Sequence, residues 1–264
     1  MSLSTSSADE LRGFAYLVAA ARSLLFIVGE WLLVIMFTLS LPILVFLPLK
    51  SRYAVLTRWS VYTLAWLRLT CGLDFAVRGR EHIPAGSTVV LSNHQSAWET
   101  LAFQSIFPPQ VWVLKRSLFW VPFFGWSLAM LRPIAIDRGG HSKALRQVID
   151  QGRDRLAAGM WVVVFPEGTR IAPGTLGSFN PGGAMLAKRA GVPALPVAHD
   201  AGAYWPRGGF PIRPGTVHVA VGPPIDTAGC KAKEINQRAE AWIRDALPTL
   251  GTQQERAEVE IDHG

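Results

Sequence analysis

Between Ser23 and Leu49 the chain carries a single charge, Glu30, and the 19 residues from Trp31 to Leu49 (WLLVIMFTLSLPILVFLPL) carry none. At about 1.5 Å per residue such a stretch makes a helix of roughly 28 Å, close to the hydrocarbon thickness of a bilayer. The expectation is a spanning or deeply inserted membrane helix. Ala19, Ala20 and Ala21 precede the apolar run, whereas a signal-cleavage site would follow it, so the segment reads as a retained anchor. Pro42 and Pro48 each remove a backbone donor, which leaves a re-entrant hairpin open as well. Arg12 and Arg22 lie upstream and Lys50, Arg52, Arg58 and Arg68 downstream, so the positive-inside rule puts the chain after Leu49 in the cytoplasm. Trp59, Tyr62 and Trp66 recur at helical spacing between Arg58 and Arg68. They fit a helix lying in the headgroup layer, the alternative being an aromatic stripe facing a core.

Charged residues make up only 17% of the 264, and Lys plus Arg outnumber Asp plus Glu by 26 to 19. The excess favours anionic partners: a lipid headgroup surface, a phosphorylated substrate or nucleic acid. Nucleic acid is the poorest of these, because the basic residues are dispersed and it would leave the apolar anchor without a purpose. Cys71 and Cys230 are too few and too isolated for a disulfide framework or a zinc site, and read as inert thiols in a reducing compartment.

Beyond Cys71 the pattern changes to short β-branched runs separated by turns, with amphipathic stretches between them, which is the pattern of an α/β domain. Strands are expected at Leu73–Val77, Thr88–Ser92, Val111–Leu114, Pro133–Asp137, Trp161–Phe165, Ala194–Ala198 and Thr216–Val221. The clearest helix is His141–Ala158, with Leu145, Val148, Ile149 and Leu156 on one face, and a last helix is expected over Glu234–Leu247. The chain is thus read as an anchor and interfacial helix over residues 1–70, a globular domain over 71–250 and a flexible tail over 251–264.

Absent motifs narrow the chemistry. There is no G-x-x-x-x-G-K-[ST] loop, no G-x-G-x-x-G fingerprint, no H-E-x-x-H helix and no paired C-x-x-C, so no nucleotide or metal cofactor is expected. The segment GWSLA around Ser127 lacks the final glycine of a nucleophile elbow and does not follow a strand. Two loops remain, each at the carboxyl end of an apolar strand, where open α/β sheets place their ligands. In the first, Asn93–Thr100 (NHQSAWET), His94 stands five residues before Glu99. A neutral imidazole can take a proton from a hydroxyl, and a carboxylate on its other nitrogen fixes the tautomer. Ser96 and Glu99 also spell a capping box, in which Glu99 merely caps a helix. In the second loop, Pro166–Arg170 (PEGTR), Arg170 can fork onto a phosphate and Gly168 lets backbone approach a ligand, or Glu167 and Arg170 simply pair in a turn.

Taken together with three further ordered blocks, LKRSLFWVPFFGW (Leu114–Trp126), PIAIDR (Pro133–Arg138) and GVPALPVA (Gly191–Ala198), the two loops resemble the glycerolipid acyltransferase family, most of all its bacterial 1-acylglycerol-3-phosphate branch. The resemblance runs from about Leu73 to about Pro224. It implies a mostly parallel mixed sheet flanked by helices, with a membrane-embedded N-terminal segment. It implies that His94 deprotonates the free glycerol hydroxyl of lysophosphatidic acid, oriented by Glu99, and that the alkoxide attacks acyl-CoA or acyl carrier protein without an acyl-enzyme or a cofactor. By the same resemblance Glu167, Gly168, Thr169 and Arg170 bind the acceptor, with Lys115 and Arg138, and less directly Arg116, adding charge at its phosphate. Anionic membrane lipids as substrate and product then account for the basic excess, and the implied location is the cytoplasmic membrane with the catalytic domain on the cytoplasmic side. Two positions depart from the family pattern: Glu99 stands where aspartate is usual, and Asn180 stands where a basic residue is common. These departures keep another lysolipid acceptor open, such as lyso-ornithine lipid or lysophosphatidylglycerol. A non-catalytic lipid-binding protein is the remaining alternative.

Overall fold

A computed structural model of the chain describes residues 5–137 and 141–252, so Arg138 and the tail beyond Thr252 lie outside the described residues. Helices α1 (Thr5–Leu39), α2 (Leu41–Leu44), α3 (Leu49–Leu56) and α4 (Arg58–Cys71) precede the sheet. Strands β1 (Leu73–Arg78), β2 (Val89–Ser92), β3 (Gln110–Lys115), β4 (Ile134–Ile136), β5 (Trp161–Val164), β6 (Ala194–His199) and β7 (Gly215–Val221) form it. Between and after them come α5 (Trp98–Ile106), α6 (Phe124–Met130), α7 (His141–Ala157), α8 (Gly182–Ala190) and α9 (Ala232–Ala246). All seven expected strands are present, none displaced by more than one residue at either end.

The strand order is β1-β7-β6-β2-β5-β3-β4, parallel throughout except for the antiparallel pair β6 and β7. This is the mixed, mostly parallel sheet that was expected. Its central strands are apolar on both faces because both are covered: Val89, Val90, Leu91, Val162 and Val163 are fully buried. The chain crosses from β2 to β3 in one direction along the sheet and returns from β4 to β5 in the other. Right-handed crossovers therefore put α5 on one face and α7 and α8 on the opposite one. The packing agrees, with α4 against α5 and β1, and with α7, α8 and α9 packed on one another and on β5, β2 and β6.

The N-terminal region differs from the expected single helix over residues 31–49. Helix α1 begins far earlier and runs 35 residues to Leu39. The apolar run is then broken twice: Pro42 sits in the first turn of α2, and Pro48 caps α3. Proline tolerates a first turn but not a helix interior, so each one restarts the chain in a new direction. The segment Gly13–Leu44 is long and apolar enough, by length and composition, to cross a membrane.

Helix α1 has two unlike sides. Ser23, Phe26, Val34 and Thr38 are buried against the sheet domain, while Leu17, Leu25, Val28, Leu32, Met36 and Leu39 are exposed. The Phe26 ring meets Trp205 edge-on at 5.4 Å, and Ser23 Oγ accepts from the Ile212 N–H at 2.9 Å. The Trp66 indole crosses α1 at Gly29, where an added Cβ would lie 2.1 Å from Trp66 Nε1. Further along, Thr38 Oγ1 lies 2.9 Å from Ser127 Oγ and donates to the Phe123 carbonyl at 3.1 Å. Of the aromatic triad on α4, Trp59 and Trp66 are thus partly covered by protein, and Tyr62 is 52% exposed.

The face opposite α5 is packed just as closely where α8 crosses β2 and β5. A Cβ on Gly183 would stand 2.5 Å from Leu91 Cδ2 and 3.1 Å from Val164 Cγ1. Gly183→Val is therefore expected to cost about 1–3 kcal/mol by forcing α8 off the two strands. Thermal unfolding in detergent reads this directly, and an unchanged midpoint would mean that α8 shifts without penalty.

Candidate active site

Strands β2 and β5 are parallel neighbours, with Leu91 paired to Val164, so the loops that follow them leave the same edge of the sheet side by side. That register puts Asn93–Thr100 next to Pro166–Arg170. Two backbone-directed bonds join them, and a third folds the second loop back on Glu167. Glu167 Oε2 accepts from the His94 N–H at 2.6 Å, Glu167 Oε1 accepts from the Gly177 N–H at 2.9 Å, and the Ile171 N–H donates to the His94 carbonyl at 2.8 Å. Burial pushes the Glu167 carboxyl up from its ordinary value, only partly offset by the Gly177 and His94 N–H groups. Gly168 takes a φ of 69°, a backbone conformation that glycine adopts without strain, and this turns the chain sharply toward Arg170.

The His94 imidazole is held on both sides. Its ring stacks on Phe165, centroids 4.2 Å apart and 13° from parallel, and Nδ1 lies 2.7 Å from Glu99 Oε1. Glu99 is fully buried, and the same oxygen also accepts from the N–H groups of Gln95 at 3.0 Å and Ser96 at 2.9 Å. Ser96 Oγ in turn accepts from the Trp98 N–H at 3.1 Å. The two readings of Glu99 are therefore both realised: it closes the start of α5 and it binds His94, through one atom. Burial works to raise the Glu99 carboxyl, but it is outweighed by His199, His94 and the Ser96 N–H, and the group lies below its ordinary value. His199 is itself pushed down toward the neutral form by its burial. Its hydrogen bonds agree, since Nε2 donates to the Asn93 carbonyl at 2.9 Å while Nδ1 accepts from the Ala201 N–H at 3.3 Å. The direct donors hold the Glu99 charge. An ionised Glu99 can only accept, so Nδ1 of His94 carries a proton, and in the neutral imidazole Nε2 is then the nitrogen with the lone pair.

A cavity of about 560 Å³ opens at this edge. His94, Lys115, Gly168, Thr169, Arg170 and Arg207 contribute its polar lining, and Phe37, Trp59, Leu101, Trp112 and Leu128 are among its apolar walls. Of the site residues read from sequence, His94, Lys115, Gly168, Thr169 and Arg170 line this one space, whereas Glu99 and Glu167 stand behind it and hold His94. Arg116 is turned to Asp137, 2.9 Å away, and Arg138 is outside the described residues. Asn180 is not in the lining either; its Nδ2 donates to the Pro166 carbonyl at 2.8 Å and steadies the loop. Sequence reasoning missed Glu30, which lines the cavity from α1, and Arg207. It also missed Asn93 and His199, which exchange bonds of 2.9 Å and 3.1 Å and pin the His94 loop to β6. The one signal for His199 is that it directly follows the quoted block GVPALPVA.

A family model described as Acyltransferase matches residues 74–200 of this chain. A Pseudomonas aeruginosa protein named 1-acyl-sn-glycerol-3-phosphate acyltransferase is 46% identical over 223 residues, which cover 83% of this chain and 87% of that protein. The 1-acyl-sn-glycerol-3-phosphate acyltransferase alpha of Mus musculus is 31% identical, covering 68% of this chain and 64% of its own. The Saccharomyces cerevisiae 1-acyl-sn-glycerol-3-phosphate acyltransferase is also 31% identical, covering 69% and 61%. The fold is that of the crystal structure of the 1-acyl-sn-glycerophosphate (LPA) acyltransferase PlsC from Thermotoga maritima, with a TM-score of 0.72 at 24% identity over 88% of this chain and 97% of that one.

The depressed Glu99 group gives a pH dependence of fixed sign. Its stabilisation is complete above the unfolded value of about 4.3 and is lost as pH falls through the lower folded value. Glu167, displaced upward, works in the opposite sense, so the Glu99 share is isolated by comparison with Glu99→Gln. The stability advantage of the wild type over Glu99→Gln is expected to be largest at neutral pH and to shrink on acidification through the carboxylate range. Denaturant unfolding between pH 7 and pH 3 measures it, and a constant difference would contradict an ionised Glu99.

Proposed function

The chain belongs to the acyltransferase family, and on that premise we propose that it moves an acyl group from acyl-CoA or acyl carrier protein to the sn-2 hydroxyl of 1-acylglycerol-3-phosphate, giving phosphatidic acid. The observation that carries the proposal is the His94 pair: Nδ1 is engaged by buried Glu99 at 2.7 Å, and the ring lines a cavity that also holds Lys115 and Arg170. Nε2 accepts the hydroxyl proton as the acceptor oxygen bonds to the thioester carbonyl carbon. The tetrahedral adduct collapses with cleavage of the C–S bond, and the imidazolium returns its proton to the departing thiolate. Glu99 steadies the transient cation and keeps the ring from turning.

No protein nucleophile is needed. Cys71, the last residue of α4, is buried against α1, and neither it nor Cys230 lines the cavity. The headgroup phosphate is held by Arg170 and Lys115, with Arg138 assigned to the same charge from its sequence block alone. Gly168 and Thr169 shape the turn that presents Arg170, and Glu167 serves the acceptor indirectly, by fixing that turn to the backbone of His94. Apolar walls drawn from α1, α4, α5 and α6 suit an acyl chain.

The two sides of α1 support a membrane location. Its outward leucines and the flanking Lys50, Arg52, Arg58 and Arg68 fit an anionic lipid surface. Because α1 touches the sheet domain from Ser23 to Thr38, this part lies alongside the catalytic domain. The reading is an enzyme of the cytoplasmic membrane, embedded from the cytoplasmic side.

The decisive experiment follows conversion of lysophosphatidic acid to phosphatidic acid by mass spectrometry, with acyl-CoA and then acyl carrier protein as donor, for wild type and His94→Ala. Loss of a general base is expected to lower turnover about 10²- to 10⁴-fold with lipid binding retained. Full activity in His94→Ala would remove the base, and no wild-type product with either donor would remove the reaction.

A further inference from the structure

Arg207 lies outside every block that marked the site in the sequence, yet it lines the cavity with His94, Lys115 and Arg170. Its Nη1 donates to Thr169 Oγ1 at 3.2 Å, which sets it beside the residue that precedes Arg170. The segment between β6 and β7 that carries it is held on three sides. The Gly202 N–H donates to Gln95 Oε1 at 3.3 Å, Trp205 meets Phe26 of α1, and the Ile212 N–H donates to Ser23 of α1. Arg207 is thus positioned by the His94 loop, by the Pro166–Arg170 loop and by α1 together.

The charge in this cavity is unbalanced. Among the described residues, Lys115, Arg170 and Arg207 have no carboxylate within ion-pair distance, and Glu30 is the one carboxylate in the lining. Three free cations converging on one space call for a ligand with more than one negative charge. A phosphate monoester carries about −1.5 to −2 at pH 7, its second proton leaving near pH 6. A phosphodiester carries only a single charge and has one fewer terminal oxygen to offer. Arg207 has spent one N–H on Thr169, and a guanidinium has others in a planar fork suited to two phosphate oxygens.

We infer that Arg207 is a headgroup ligand that, with Lys115 and Arg170, makes the site selective for a phosphate monoester over a phosphodiester. The inference rests on the reading of the acceptor as a lysophospholipid with its phosphate at this edge of the sheet. Thr169 holds the guanidinium in register with Arg170, so the two arginines close on the phosphate from neighbouring loops.

The test uses the full chain in micelles of a neutral detergent, where the substrate supplies the only lipid phosphate, with acyl-CoA fixed. Lysophosphatidic acid and lysophosphatidylglycerol are compared as acceptors for wild type, Arg207→Gln and Arg207→Lys; if the diester is not turned over, its inhibition constant is used. Arg207→Gln is expected to lower kcat/KM for lysophosphatidic acid about ten- to hundredfold, chiefly through KM, while the diester value moves less than about threefold. Arg207→Lys should recover part of the loss. Equal losses on both acceptors, or no loss, would overturn the inference, the first by making Arg207 a strut of its loop. A defect seen only in anionic vesicles and absent in neutral micelles would also overturn it, because Arg207 would then be reading bilayer phosphate. Absence of wild-type turnover on lysophosphatidic acid would overturn the acceptor reading itself, and this inference with it.

Discussion

A single buried oxygen, Glu99 Oε1, accepts from His94, Gln95 and Ser96 at 2.7, 3.0 and 2.9 Å. A carboxylate taken fully out of water survives only if donors replace the water it loses, and here the donors are the loop it organises. The consequences spread outward. The loop must curl around the carboxylate, which turns the His94 ring onto Phe165 and sends its backbone N–H to Glu167. Glu167 then fixes Gly177, Ile171 bonds back to the His94 carbonyl, and Asn93 reaches across to His199 on β6. The carboxyl edge of β2, β5 and β6 is therefore one hydrogen-bonded assembly, with the imidazole at its surface and two acids behind it.

Much of this was legible in the sequence, and the boundary of legibility is physical. The seven strands were readable because each is a short apolar β-branched run closed by a turn. The placement of His94 beside the Pro166–Arg170 loop was readable only as far as strand order could be inferred, since it depends on β2 and β5 being parallel neighbours. The breaks at Pro42 and Pro48 were legible from the prolines themselves, whereas the extension of α1 back to Thr5 was not, because the residues before Ser23 carry charges and lie outside the apolar run. Glu99 was posed as either a cap or a partner of His94, a choice that disappears once one oxygen is seen to do both. The roles of His199 and Arg207 were missed for a different reason: their partners, Asn93 and Thr169, are 106 and 38 residues away in the chain. Local pattern carries no trace of such pairs.

The acidic residues divide the labour at the site by depth. Glu99 is buried and bound by N–H groups through Oε1, Glu167 is nearly buried and bridges two loops, and Glu30 faces the cavity from α1. The cations do the reverse: Lys115 and Arg207 are exposed at the rim. The carboxylates of Glu99 and Glu167 thus stand behind the imidazole, and the cations stand in front of it. That polarity favours an anionic ligand on the cavity side of His94 and gives the imidazole a carboxylate behind it.

Helix α1 is at once the most hydrophobic part of the chain and a wall of the cavity, through Glu30, Val34 and Phe37. Trp66 crosses it at Gly29, and Thr38 ties its far end to α6. Anyone hoping to obtain a water-soluble catalytic core by trimming the N-terminus would remove the roof of the binding chamber along with the greasy segment. Solubility and substrate recognition are written on opposite sides of the same rod, so redesign has to recolour the outward leucines in place, keeping the inward stripe of Ser23, Phe26, Val34 and Thr38 unchanged.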